Sequence, residues 1–148
     1  MAAHVVYYSY SGITRRLALE EAESGGLKLT EVKDARRVGK LKAYLRGCFA
    51  AIRGGAWKIC EVGGDYQKAD RIILMFPIWA GNMPPAVNAF LKGIPDRADG
   101  QGEPTPVLVK AVSTSGKSAC RERLAALLER KGYALEGFED VMSKGMKA

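Results

Sequence analysis

The sequence predicts a single α/β domain, a parallel sheet covered by helices on both faces, and three observations carry that prediction. Short apolar runs alternate with amphipathic segments along the chain, the pattern of successive βα units. One run, Ile72-Ile73-Leu74-Met75-Phe76, is apolar without a break, as a strand buried on both faces requires. No repeat or low-complexity stretch interrupts the alternation, and 148 residues suit one domain with a sizeable core.

Taken in order, Val5-Val6-Tyr7-Tyr8 is β-branched and aromatic and reads as the first strand. The segment Ser9-Tyr10-Ser11-Gly12-Ile13-Thr14 follows as a tight loop opening a helix. Residues 27 to 32, Leu-Lys-Leu-Thr-Glu-Val, alternate like a half-buried second strand. From Leu41 the apolar residues fall at 41, 44, 45, 48, 49 and 52, a helical period that ends near Gly54-Gly55. Arg71 to Pro77 is the third strand, and Pro84-Pro85 suit the first turn of a helix over Ala86 to Lys92. Gly100 to Pro104 reads as a loop and Pro106 to Val112 as the fourth strand. A helix over Lys117 to Arg130 turns Leu124, Leu127 and Leu128 inward and stops at Gly132; Leu135 to Met142 reads as the fifth strand.

Composition excludes several function classes. No run approaches the roughly 18 apolar residues of a membrane span, and the N-terminus has no signal-peptide pattern. The three cysteines, Cys48, Cys60 and Cys120, show no metal-ligand spacing, and His4 is the single histidine. A zinc site and a histidine-based catalytic triad are therefore not expected, and the chain reads as cytoplasmic and reduced.

In a parallel α/β sheet, ligands bind beyond the carboxyl ends of the strands, where strand order reverses. The loops after strands one, three and four are thus the places for a site. The first carries the hydroxyls of Ser9, Ser11 and Thr14 around Gly12, at the positive end of a helix dipole. It has no Lys or Arg, which suits a phosphate held by neutral donors; a plain helix capped by Ser11 is the simpler reading of the same residues. The second, Pro77-Ile78-Trp79-Ala80-Gly81-Asn82-Met83-Pro84-Pro85, sets a tryptophan at the rim of the sheet. There Trp79 either stacks on a flat ring or packs over the sheet end, and the N–H groups of Ala80, Gly81 and Asn82 offer donors to a ring edge.

With S-x-S-G-x-T after the first strand and P-I-W-A-G-N-M-P-P after the third, the chain resembles the flavodoxin-like FMN-binding family over nearly its whole length. The resemblance implies a three-layer α/β/α sandwich with a five-stranded parallel sheet in order 2-1-3-4-5 and FMN across the strand ends. By that resemblance Ser9, Ser11, Gly12, Ile13 and Thr14 hold the FMN phosphate. Pro77, Ile78, Trp79, Ala80, Gly81 and Asn82 border the isoalloxazine ring. Ser113, Thr114, Ser115 and Gly116 match the third flavin-contacting loop more loosely. Redox chemistry then belongs to the flavin, with the protein supplying position and electrostatics. Trp79 against the ring disfavours its anionic reduced form, and Gly81 allows a peptide flip toward N5. The implied role is electron transfer with a redox partner protein. Its alternatives are an FMN-dependent NAD(P)H:quinone or flavin oxidoreductase, and a flavin-free interaction module on the same fold. No side chain stands out as a catalytic acid or base.

Residues 111 to 118, Ala-Val-Ser-Thr-Ser-Gly-Lys-Ser, come close to a Walker A loop. Ala111 is expected inside the fourth strand, which leaves the loop too short to wrap a triphosphate, and the third strand ends in Pro77 rather than a metal-binding Asp.

Two features depart from the family. The net charge is +7, and residues 28 to 58 carry all of it, nine basic groups against Glu31 and Asp34. With Lys42, Arg46 and Arg53 opposite the apolar stripe, this segment reads as a solvated face, or as one that steers an acidic partner or a phosphorylated nicotinamide. No nucleic-acid recognition motif accompanies it. The second departure is at the C-terminus, where residues 143 to 148 are too few for the helix that normally follows the fifth strand. Open apolar sheet is expected there, favouring a homodimer or a docked partner.

Overall fold

A computed structural model describes residues 3–36, 39–96 and 103–148. Arg37 of the basic segment and residues 100–102 of the expected loop lie outside the described residues. Five strands, β1 (Ala3–Tyr8), β2 (Lys28–Val32), β3 (Arg71–Pro77), β4 (Thr105–Ser113) and β5 (Tyr133–Met142), form one sheet in the order β2-β1-β3-β4-β5. All four pairings are parallel, with Val6 beside Leu74 and Leu74 beside Val109. The strand order reverses between β1 and β3, so a crevice opens at their carboxyl ends.

The two-residue period of the strands divides the core. Val5, Tyr7, Ile73 and Met75 point to one face, which α1 (Ile13–Gly25) covers with Ala18 and Ala22. Small residues there let the helix axis approach the sheet, and Gly26 ends it with φ 62°, as a left-handed cap requires. Val6, Tyr8, Leu74, Phe76, Val109 and Ala111 point to the other face. There α4 (Pro85–Gly93) contributes Val87, Phe90 and Leu91, and α5 (Arg121–Arg130) contributes Leu124 and Leu128. Each such side chain contributes about 1.5–3 kcal/mol on burial. A 3-10 turn, Gly64–Lys68, adds Tyr66, packed edge-to-face on Phe90.

Between β2 and β3 a helical segment runs from 40 to 53. It comprises α2 (Lys40–Lys42), a π-helical stretch (Ala43–Gly47) and α3 (Cys48–Arg53). The segment turns its small residues, not its large apolar ones, toward the sheet. Ala43, Gly47 and Ala51 face the body, whereas Leu41, Leu45, Phe49 and Ile52 face solvent. The reason is the bulk of Trp79 beneath: a Cβ on Gly47 would lie 2.4 Å from its ring, so only the small-residue face fits.

α5 begins at Arg121, later than the sequence suggests. The residues before it are committed elsewhere: the Ala119 N–H donates to the Gly81 carbonyl at 2.6 Å and the Ser118 hydroxyl to Asp140 at 2.6 Å. After β5, residues 143–148 form turns rather than a helix. The strip beside them mixes Leu108 and Val141, both half-buried, with charged pairs, so it is less apolar than the sequence leads one to expect. Lys110 of β4 reaches Glu21 of α1 at 2.9 Å and Glu139 of β5 at 3.9 Å, and Arg71 pairs with Glu136. Gly137 faces Leu108 across the same strip.

Candidate functional site

The loops after β1, β3 and β4 converge on a cavity of about 410 Å³ at the carboxyl ends of the strands. Of the first loop, Ser11, Ile13 and Thr14 line it. Ser9 does not; its hydroxyl accepts the Gly12 N–H at 3.1 Å and braces the loop from behind. Gly12 is the N-cap of α1 with φ 99°, a conformation that suits glycine, and no side chain caps the helix, so the reading of Ser11 as a cap is not what the structure contains. The first turn of α1 holds no acid. Its leading N–H groups lack intrahelical acceptors, and its dipole favours negative charge at this end. Residues 143–148 cross this helix end: Arg16 donates to the Lys147 carbonyl at 3.1 Å, and Ala148 lies against Gly12.

From the second loop, Pro77, Ile78, Trp79, Ala80 and Gly81 line the cavity. Trp79 and Asn82 exchange two backbone hydrogen bonds of 2.9 Å, closing a turn whose central residues both have positive φ, 49° at Ala80 and 81° at Gly81. This is the geometry of a type I′ turn. Ala80 is the one non-glycine residue with positive φ among those described, a conformation that costs about 1–2 kcal/mol at a β-carbon. Such strain concentrates at functional sites. Asn82 does not line the cavity; its amide donates to the Ala80 carbonyl at 3.2 Å and accepts from Arg123 at 3.5 Å. The same guanidinium holds the carbonyls of Ala51 and Ile52, at 3.0 and 3.1 Å, and so ties the turn to the end of α3.

Trp79 packs over the sheet end and also lines the cavity. Its ring meets Tyr8, Tyr10 and Trp57 edge-to-face, with centroids 6.2, 5.7 and 5.7 Å away. Asp34 steadies this cluster by accepting from the Tyr8 hydroxyl and the Trp57 indole, both at 2.8 Å. A second concavity of about 360 Å³ lies beside the same wall, between Trp79, Ala80, Tyr10 and the helical residues Lys40, Ala43 and Cys48.

In the third loop Ser113, Thr114 and Ser115 line the main cavity, and the hydroxyls of Ser113 and Ser115 accept the Lys117 N–H at 3.2 and 3.3 Å. Gly116 does not line it but turns the chain with φ 69°. Ala111 lies within β4, so this loop is too short for a Walker A wrap. Three lining residues were not named from the sequence: Val112, Lys117 and Ser143. Ser143 follows β5, and the strand-end rule applied to the fifth strand finds it. Lys117 is the one charged side chain among the described lining residues, and no Asp, Glu or His accompanies it. Among the described residues no group of three or more His, Cys, Asp or Glu could hold a metal ion, and no helix is long and apolar enough to cross a membrane.

No protein-family model and no curated protein matches the sequence. Solved structures do match. A flavoprotein from Lactobacillus acidophilus NCFM, solved in complex with FMN, superposes with a TM-score of 0.69 at 18% identity, covering 93% of this chain and 91% of that one. A WrbA-like flavodoxin from Agrobacterium tumefaciens gives 0.57 at 18% identity over 90% and 74% of the two chains. The flavodoxin of Streptococcus pneumoniae TIGR4 gives 0.51 at 13% identity over 96% and 86%. Strand order, helix placement and these superpositions agree: the chain has the flavodoxin-like fold.

Proposed function

We propose that the protein binds FMN without a covalent bond and transfers electrons to and from a protein partner. The observation that carries this reading is the convergence of three strand-end loops on one cavity at the reversal of strand order. The residues present suit the group. Ser11 and Thr14, at an uncapped helix start with no acid, match a phosphate. Ile78, Trp79 and Val112 give an apolar wall for a flat ring, and the volume lies in the range of small-ligand pockets. Bound there, the flavin supplies the redox chemistry.

The chain's own residues position and shield. Thr14, 2% exposed, is held in the first turn of α1 where it lines the cavity. The aromatic cluster around Trp79 excludes water from one side of the cavity. The described lining residues hold no carboxylate or imidazole, so the redox and proton chemistry would rest on the flavin itself. Absorption spectroscopy tests the reading. Protein mixed with FMN and freed of excess should retain bands near the flavin's roughly 375 and 450 nm with quenched fluorescence. Thr14→Val should weaken retention about tenfold, as loss of a hydrogen bond to a charged group would. A protein that releases all its FMN refutes the proposal. Direct bleaching by NAD(P)H, with turnover on a quinone, would move the assignment to an oxidoreductase.

A further inference from the structure

The geometry points to the outward face of the 40–53 helical segment as the docking surface for an acidic protein partner, an inference that rests on the electron-transfer reading above. Leu41, Leu45, Phe49 and Ile52 are 73, 59, 58 and 52% exposed. They form one apolar stripe, the kind of patch that marks an interaction site. The exposure is built in. Gly47 lies against Trp79, Arg123 grips the carbonyls of Ala51 and Ile52, and Lys92 holds that of Gly54 at 2.8 Å. The segment therefore cannot roll its large side chains inward.

Charge selects the occupant. Lys40, Lys42, Arg46 and Arg53, set opposite the stripe by the sequence period, are all exposed with it because the small-residue face is the buried one, and the segment contains no acid. Arg53 sits 4.5 Å above the Phe49 ring, the aromatic–arginine pairing common in binding hot spots. Two copies meeting through this face would set like charges together, so a second copy of the chain is disfavoured. A partner with an apolar centre and a rim of Asp and Glu complements it. The apolar concavity on the body side of the segment, bordered by Lys40, Ala43, Cys48, Trp79 and Ala80, offers a socket for a protruding side chain, which a protein supplies more readily than a flat bilayer. The position also serves the proposed function, because Trp79 and Ala80 border both this concavity and the main cavity. A segment of fourteen residues, about 21 Å long, suits the small interfaces of transient redox encounters.

The test uses the full chain without flavin and a fluorescein-labelled helical peptide with Leu and Phe on one face and Glu on the other. Anisotropy at low salt should report binding that weakens steeply toward 0.3 M salt. A peptide with the same charge but Ser in place of Leu and Phe should fail to bind. Phe49→Ser and Arg46→Glu, both at exposed positions, should each weaken binding about tenfold while circular dichroism stays unchanged, and Leu41→Ser should repeat the effect without altering charge. Equal binding by all variants overturns the inference. So does stripe-dependent binding to phosphatidylglycerol-containing vesicles without peptide binding, which assigns the face to membranes. Concentration-dependent dimerisation abolished by Phe49→Ser also overturns it, in favour of a second copy. Because the assay contains no flavin, failure of FMN retention and failure of docking are read separately.

Discussion

Replacing Gly47 with alanine probes the contact on which the candidate site depends. The added Cβ would lie 2.4 and 2.9 Å from Cζ3 and Cε3 of Trp79 and 3.3 Å from Cη2 of Trp57. Carbon atoms pack at about 3.5–4 Å, so the Trp79 ring must withdraw by roughly 1 Å. It cannot do so freely, because Tyr8, Tyr10 and Trp57 hold it edge-to-face. Overpacking of this kind costs about 1–3 kcal/mol, and the better helix propensity of alanine returns about 1 kcal/mol. The expected balance is a loss of up to about 2 kcal/mol, or a fall in Tm of up to about 6 °C at this chain length. Gly93→Ala in α4 is the control, since a Cβ there meets no described atom within 4 Å; it should gain about 0.5–1 kcal/mol. Thermal unfolding gives the stabilities, tryptophan emission reports the displaced ring, and FMN retention should fall with it. If Gly47→Ala is stabilised like the control and its emission is unchanged, the packing argument is wrong.

Three further outcomes follow from the same packing. Asp34→Ala removes the acceptor shared by Tyr8 and Trp57 and should cost about 2 kcal/mol in urea unfolding, with Asp34→Asn recovering part of it; an unchanged midpoint for Asp34→Ala would contradict the network. His4 is 3% exposed and bonded to the Thr30 hydroxyl at 2.6 Å, and burial pushes its imidazole pKa below the ordinary 6.5. The unfolded chain therefore protonates first on acidification, so the stability this site contributes above about pH 6.5 is lost as pH falls through the folded value. His4→Gln should flatten the dependence of unfolding free energy between pH 7 and 5, and identical slopes would refute the assignment. Lys110→Leu removes a pair of partly exposed ion contacts and should change stability by less than about 1 kcal/mol; sedimentation should instead show more self-association than the unsubstituted protein at equal concentration.

The sequence made the sheet legible because burial leaves a local mark. β3 needs apolar residues on both faces, so Ile72 to Phe76 announce it, and the order of elements then follows. The three strand-end loops were legible for a similar reason, since the hydroxyls, the glycines and Trp79 stand directly after apolar runs. What the sequence hid depends on contacts distant along the chain. The period at 41, 44, 45, 48, 49 and 52 shows that one side of that segment is apolar but not that Trp79 favours the small-residue side instead. Likewise the late start of α5 is decided by the Gly81 carbonyl, more than thirty residues away. The mixed strip was partly readable: a lysine at position 110, inside an otherwise apolar strand, signals that one face there is not buried.

The anchoring of the Trp79–Asn82 turn has a thermodynamic consequence. Gly47 presses on its first residue, Ala119 bonds to Gly81, and Arg123 joins Asn82 to the end of α3. The wall of the main cavity and the underside of the outward helical face are therefore one mechanical unit. If the proposed flavin and partner each restrict this unit, their binding free energies are coupled, and linkage makes the coupling reciprocal. The factor by which a bound flavin alters the affinity of a docked protein must equal the factor by which that protein alters the affinity for flavin.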